Sequence, residues 1–363
     1  MNIRNMKNTS FIGVDIFSGA GGISLGAEKA GIQVKTAVDV DKYSLETYQF
    51  NHKKAEVIHE DIRNVDPSDI GTFPKQPFVL FGGPPCQGFS NSFIKRDEDL
   101  QNPRNWMFKQ FLRFVKELKP YWVVFENVEG FTRFCGGKLA EDLKNALVKL
   151  GYKNPYSNIL NAADFGVPQV RNRFFIVANK DEHKFDIAPN CEKRVTVKKA
   201  LSDLPNLKNG DKIDETPYKP GGLTKYARLM RANSRSAKQN FVSRNQDYVI
   251  ERYHHIKPGQ NWKAIPDRLM TNYKDKTRCH TGIYKRLDPN EPSIVIANYR
   301  KNMFIHPDED RGLSLREAAR LQSFPDDFIF KGTLRSMQQQ IGNAVPPLLA
   351  EAIFRQIIKL SCG

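Results

Sequence analysis

Cys86 lies in Phe81-Gly82-Gly83-Pro84-Pro85-Cys86-Gln87-Gly88-Phe89-Ser90, just past an apolar run and on a turn stiffened by two prolines. Each proline fixes one backbone φ angle, so the thiol is presented on a rigid turn, as a nucleophile requires. Core cysteines are usually inert small hydrophobes, but they seldom stand in a Gly-Gly-Pro-Pro setting. Forty residues on, the apolar run Val123-Val124-Phe125 leads into Glu126-Asn127. A carboxyl at such a strand end is partly desolvated, which raises its pKa and suits it to donate a proton or a hydrogen bond. Arg171 and Arg173 alternate along an extended segment, which predicts that they share a face and could bind an anionic or carbonyl group.

A second set of residues suits a nucleotide-like ligand. Residues 15–22, Asp-Ile-Phe-Ser-Gly-Ala-Gly-Gly, follow the first apolar run, and Gly19, Gly21 and Gly22 allow a tight turn with close backbone approach. Asp39 stands 20 residues beyond Gly19, at the end of the next run, where a carboxylate can accept from ribose hydroxyls. Asp61, in Glu60-Asp61-Ile62, ends a third short run and could hold an amino group. Both acids could instead cap helices.

The elements that must position these residues follow from the apolar pattern. Runs at 11–17, 34–39, 78–81, 121–125 and 174–178 predict strands. Stretches at 22–30, 42–51, 106–118 and 139–150 predict helices, and Gly31 and Gly151 are suited to end the first and last. This alternation predicts an α/β domain with a largely parallel sheet, whose ligands sit beyond the carboxyl ends of the strands. From 180 to about 310 the chain is rich in Lys, Asn, Pro and Gly with weak periodicity, which predicts a second, smaller, loop-rich domain. Helical pattern returns at 314–322 and 348–360 and is expected to rejoin the first domain. The expected division is therefore 1–179 plus 311–363 against 180–310.

Composition narrows the partners. The chain has 363 residues and a net charge of +16. Residues 180–301 hold 26 Lys and Arg against 14 Asp and Glu, and residues 216–246 carry seven basic side chains and no acidic one. Such a concentration of charge points to a polyanion. No apolar run approaches the ~20 residues of a membrane helix, and the N-terminal segment lacks the pattern of a secretory signal, so a cytoplasmic location is expected. The five cysteines form no Cys-x-x-Cys pair, and the adjacent pairs His254-His255 and Cys279-His280 lack metal-binding spacing, so neither disulfides nor a metal are expected.

Taken in order, DIFSGAGG, FGGPPCQGFS, FENV, QVRNR, LSLREAARLQSFP and QQQIGNAVPP resemble the motifs of the cytosine-C5 DNA methyltransferase family. The resemblance covers residues 11–179 and 284–350. It implies a Rossmann-like methyltransferase sheet, S-adenosylmethionine as methyl donor, and double-stranded DNA as substrate. Cys86 is implied to add to carbon 6 of a cytosine flipped out of the duplex, while Glu126 donates to ring N3 and Asn127 orients the ring. Arg171 is implied to contact the cytosine carbonyl and Arg173 to hold the site together. No residue identifies itself as the base that removes the carbon 5 proton.

By the same resemblance Phe17, Asp39, Val40, Asp61, Ile62, Pro84, Met107, Asn343, Ala344 and Val345 line the donor pocket with the three glycines. Asp39 replaces a common glutamate and Ala344 a frequent serine, changes that bear on affinity. Residues 91–105 are implied to be a closing loop, and the basic region a target-recognition domain. The layout is that of a prokaryotic or phage modification enzyme, often paired with a restriction endonuclease for the same site.

Three rivals remain. One branch of the family acts on transfer RNA, but its Cys-Phe-Thr tripeptide is absent here. A nicotinamide-dependent oxidoreductase would use the glycine turn and Asp39, leaving Cys86 and the basic region unexplained. A DNA-binding protein without catalysis would have little need of both Cys86 and Glu126.

Overall fold

The computed structural model describes residues 11–71, 73, 77–85, 106–191, 193–221, 223–271, 273, 281–297 and 299–362, the side chain of Cys135 excepted. The chain forms two compact units. One comprises Met1–Phe165, Asn172–Asn190 and Val345–Gly363, the other Gly166–Arg171 and Cys191–Ala344.

In the first unit, β1 (Ile12–Ile16), β2 (Gln33–Asp39), β3 (Glu56–His59), β4 (Phe78–Gly82) and β5 (Trp122–Val128) are joined through α1 (Gly22–Lys29), α2 (Lys42–Asn51) and α3 (Phe108–Leu118). Then follow α4 (Lys138–Lys149), β6 (Lys153–Asn161) and β7 (Asn172–Asn179), and the unit is completed by α10 (Pro347–Cys362), numbered after the second unit's elements. The sheet order is β3-β2-β1-β4-β5-β7-β6. Strands β1 to β5 are parallel to one another, whereas β7 runs antiparallel to both β5 and β6. Central strands β1 and β4 are buried at every position, as expected where both faces of a parallel sheet are covered.

Local signals set the helix ends. Gly31 and Gly151 both adopt positive φ, which favours glycine and ends α1 and α4. Asp41 caps α2 by accepting from the Ser44 amide at 2.7 Å. Helix α3 turns Phe108, Phe111, Phe114 and Val115 to the core, one stripe at helical spacing. Helix α10 lies against α1 so closely that a Cβ on Gly26 would collide with Ala350 and the Pro347 carbonyl. Its Ser361 hydroxyl accepts from the Trp122 indole at 2.9 Å.

The second unit contains α5 (Val197–Leu201), hairpin β8 (Lys212–Pro217) with β9 (Ser236–Phe241), α6 (Lys225–Arg231), α7 (Asp247–His254), α8 (Leu315–Leu321) and α9 (Leu334–Asn343). One of its apolar clusters forms around Val249, Tyr253, Ile256, Tyr284 and Ile305.

The boundaries differ from those the sequence predicts. Residues 311–344 belong to the second unit instead of rejoining the first, and 180–190 remain with the first. The reason is that α8 is buried all round and its charges are neutralised locally. Arg320 pairs with Asp203 and Asp326, Arg311 with Glu317, and Arg316 donates to the carbonyls of Lys238, Pro325 and Phe328. Only α10 returns to the first unit.

Candidate active site

The strand order reverses between β1 and β4, and ligands in open α/β sheets bind at the carboxyl edge beside such a point. The glycine turn leaves β1 there. Phe17, Gly19 and Gly21 all have positive φ, and the Gly19 amide donates to Asp39 Oδ2 at 2.7 Å. Asp39 Oδ1 accepts from the Asp41 amide at 2.9 Å, so this carboxylate ties the ends of β1 and β2 together and does not cap α2. Burial raises its pKa from the ordinary value, and the amides of Asp41, Gly19 and Val40 oppose the shift. A Cβ on Gly21 would collide with the His52 imidazole, so no larger residue fits there.

Around this turn the predicted pocket residues divide by environment. Val40 is 65% exposed at the carboxyl end of β2. Phe17 is half-buried against the core, while Ile62, Pro84 and Met107 are buried. Asp61, just past β3, accepts from Arg63 at 3.0 and 2.6 Å. Arg113 donates to the carbonyls of Ile62 and Val65 at 2.6 and 3.0 Å, fixing the chain where it leaves β3.

The Gly83-Pro84 turn and Glu126-Asn127 stand at the ends of β4 and β5. A Cβ on Gly82 would collide with the Ile16 carbonyl, so backbone approaches backbone where β1 and β4 part. At Gly83 a Cβ would stand 2.5 Å from Glu126 Oε2. Asn127 Nδ2 donates to the Pro84 carbonyl at 3.2 Å, fastening the turn after β4 to the end of β5. Because β7 runs antiparallel, its first residues lie at this same edge, and Arg173 pairs with Val128 in the ladder. The Arg173 guanidinium meets Glu126 at 3.0 Å, each side chain only 10% exposed. Burial works against the Arg173 charge and Glu126 works for it. Cys86, two residues beyond Pro84, and the loop 91–105 lie outside the described residues.

Arg171 and Arg173 engage separate partners, contrary to the shared face that alternation predicts. Arg171, in the second unit, donates to the carbonyls of Gly342 and Ala344 at 2.8 and 3.0 Å, closing the end of α9. Gln169 supports the same region through Leu321, Gln322 and the Ile296 amide. Asn343 accepts from Gln339 at 2.7 Å and Ala344 terminates α9, whereas Val345 is buried in the first unit.

Some of the architecture escaped the sequence analysis. Beneath the glycine turn the fully buried Asp15 accepts from Ser24 at 2.5 Å, and Ser24 bonds Tyr48 at 2.7 Å. Burial above all pushes the Asp15 carboxyl well above the usual range. The signal was present in the sequence, as an acid inside the apolar run Ile12-Gly13-Val14-Asp15-Ile16.

An open, mostly parallel sheet, a glycine turn held by an acid, and a carboxylate–guanidinium pair at the same carboxyl edge define an α/β protein suited to a nucleotide-like ligand. The family model described as C-5 cytosine-specific DNA methylase matches residues 11–359, and the chain belongs to that family. The Type II methyltransferase M.DdeI of Desulfomicrobium norvegicum is 33% identical, over 95% of this chain and 88% of its own length. The Type II methyltransferase M1.HphI of Haemophilus parahaemolyticus is 32% identical, over 96% of this chain and 87% of its own. A crystal structure of a candidate DNA modification methyltransferase from an E. coli prophage aligns with a TM-score of 0.77 at 28% identity, covering 97% of this chain and 99% of that one.

The protein is therefore a DNA cytosine methyltransferase acting at carbon 5, with a methyl donor of the S-adenosylmethionine type. Among the described residues no helix is long and apolar enough to cross a membrane, and no group of three or more His, Cys, Asp or Glu could hold a metal ion.

Proposed function

We propose that this enzyme methylates cytosine within one short double-stranded DNA sequence, using S-adenosylmethionine and Cys86 as covalent nucleophile. The observation that carries the assignment of roles is the Glu126–Arg173 pair at 3.0 Å, standing against the Gly83-Pro84 turn that leads to Cys86. The residues fit the donor. The Asp39 carboxylate suits ribose hydroxyls, and Val40 and Phe17 offer apolar surface to adenine. The glycine turn after β1 lies at the carboxyl edge beside the point where the strand order reverses, where ligands of open α/β sheets bind. Bound there, S-adenosylmethionine supplies an electrophilic methyl group on a sulfonium centre.

The chain's own residues then do the following. The Cys86 thiolate forms a bond to carbon 6 of a flipped cytosine. Glu126, oriented by Arg173, supplies a proton or hydrogen bond to N3 as negative charge builds on the ring. Carbon 5 is thereby made nucleophilic and takes the methyl group. Water takes the carbon 5 proton, the freed electron pair restores the ring double bond and expels the Cys86 thiolate, and N3 returns any proton it took to Glu126. Asn127 keeps the end of β5 fastened to the Cys86 turn. In this reading the contact to the cytosine carbonyl passes from Arg171 to Arg173, because Arg173 is the guanidinium beside Glu126 and Arg171 is committed to Gly342 and Ala344.

Residues 191–344 are assigned target recognition, with phosphate contacts from the basic stretch 216–246. The Type II relatives favour membership of a restriction-modification pair, with a cognate endonuclease cutting the same sequence. The test is methyl transfer from labelled S-adenosylmethionine to unmethylated duplex DNA, beside a Cys86→Ala variant. Methylation at carbon 5 in one motif, lost by about 10⁴-fold or more in the variant, is expected. A variant that still transferred methyl groups would remove Cys86 from the mechanism.

A further inference from the structure

In the second unit a shallow cleft lies between α9 on one side and Ala297 with Tyr299, Arg300 and Lys301 on the other. Its wall is firmly built. A Cβ on Gly342 would collide with the Ala297 carbonyl, so helix and loop meet backbone to backbone. The Tyr299 ring is buried, and the Phe304 and Met303 amides donate to the carbonyls of Tyr299 and Arg300 at 3.0 and 3.1 Å, folding the loop back on itself. Gln338, also buried, donates to the Ser243 hydroxyl at 2.9 Å, and the same hydroxyl accepts from Arg300 Nε at 3.3 Å.

Three cations, Arg300, Lys301 and Arg335, line this cleft from two separate elements, and all three are exposed. Among the described residues no carboxylate pairs with any of them. This contrasts with Arg311 and Arg320 in the same unit, which are neutralised by Glu317, Asp203 and Asp326. Like charges gathered on one wall repel one another, and an anion seated among them relieves that repulsion. The flanking amide of Gln339 adds a neutral donor to the same rim.

We propose that this cleft seats a backbone phosphate of the DNA substrate, with Arg335 and Lys301 as its principal ligands and Arg300 as the ligand oriented by Ser243. The proposal rests on DNA being the substrate. A phosphate contact of this kind positions the duplex without reading its sequence. It would give the enzyme a fixed reference point outside the basic stretch 216–246.

The experiment compares the wild type with Arg335→Gln, Lys301→Gln and the double variant, measuring binding to short duplexes with and without the methylated motif across about 50–200 mM salt. Each single change is expected to weaken binding roughly tenfold. Both duplexes should lose alike, and the slope of log affinity against log salt should fall by about one per lost contact. Arg335→Lys, which keeps the charge, should recover most of the loss, and donor binding should not change. Unchanged affinity and salt slope in the double variant would overturn the proposal, as would a loss confined to the duplex carrying the motif, since that would mean base reading. Wild-type protein without methyl transfer to DNA would instead sink the parent reading, so the two failures can be told apart.

Discussion

Glu126 in the first unit and Arg320 in the second are both charged, both nearly out of water, and surrounded differently. Arg320 is closed on every side. Its guanidinium meets both oxygens of Asp203 and both of Asp326 and also donates to the Ala200 carbonyl. Tyr218 and Arg231 take up further lone pairs of those two acids. Glu126 instead pairs with Arg173 at 3.0 Å at the carboxyl edge of the sheet, against the turn at Gly83 and Pro84. A charge whose partners all come from the fold holds a domain together. A charge held at the carboxyl edge of an open α/β sheet stands where ligands of such sheets bind.

The sharpest test of that contrast is Glu126→Gln. Methyl transfer should fall by about 10²–10⁴-fold, with a smaller change in unfolding midpoint than Arg320→Leu produces. Equal destabilisation by the two would break the contrast. For Arg320→Leu, denaturant titration should find a loss of about 3–5 kcal/mol, because Asp203 and Asp326 are left as buried charges without their shared partner. A loss under about 1 kcal/mol, the scale of an exposed pair, would contradict the closed network.

Acid should separate the regions further. Burial opposes ionisation of Glu317, yet the charges of Arg311 and His306 and the hydrogen bonds from Arg311 and the Ser314 amide outweigh it, and its carboxyl is pushed down from 4.5 to about 2. A carboxyl whose folded pKa is depressed stabilises above its unfolded value and loses that contribution as pH falls toward the folded one. His306 has its pKa lowered, first by burial, so the unfolded chain takes up its proton first as pH drops below the ordinary 6.5. Stability of the second unit should therefore fall gently below that pH and then, between 4.5 and about 2, by roughly 3 kcal/mol. Urea midpoints across this range, with Glu317→Gln as control, give the measurement. A variant profile as steep as the wild type would exclude Glu317 as the source.

The smallest effect belongs to Asp39→Asn. The Gly19 amide would lose a charged acceptor and the ribose its carboxylate, weakening S-adenosylmethionine about tenfold in a calorimetric titration. Unchanged donor affinity would leave Asp39 as a brace for the turn alone.

Strands β1, β2, β4, β5 and β7 were legible because interior strands read as dense apolar runs, and the glycines at the ends of α1 and α4 were legible because positive φ favours that residue. Strand β6 was not legible. Lys153-Asn154-Pro155-Tyr156 is polar, contains a proline and lies at an edge, where one side needs no apolar cover. Hairpin β8–β9 escaped for a related reason, since β8 is almost wholly exposed. The membership of α8 was hidden because its arginines look solvent-facing in sequence and become core only when Asp203 and Asp326, far apart in the chain, close around them. Position along the chain showed Arg171 and Arg173 as a pair, but the partners that separate them are set by tertiary contacts.

The seating of α10 on α1 at Gly26 also has a temporal side. A ribosome must make residues 191–344 before α10 exists to cover that helix. At about 5–20 residues per second the interval is on the order of ten seconds. During it the glycine turn and most of the sheet have been made, but one face lacks its cover. The first unit, although begun first, is therefore finished last, after residues 191–344 have been made.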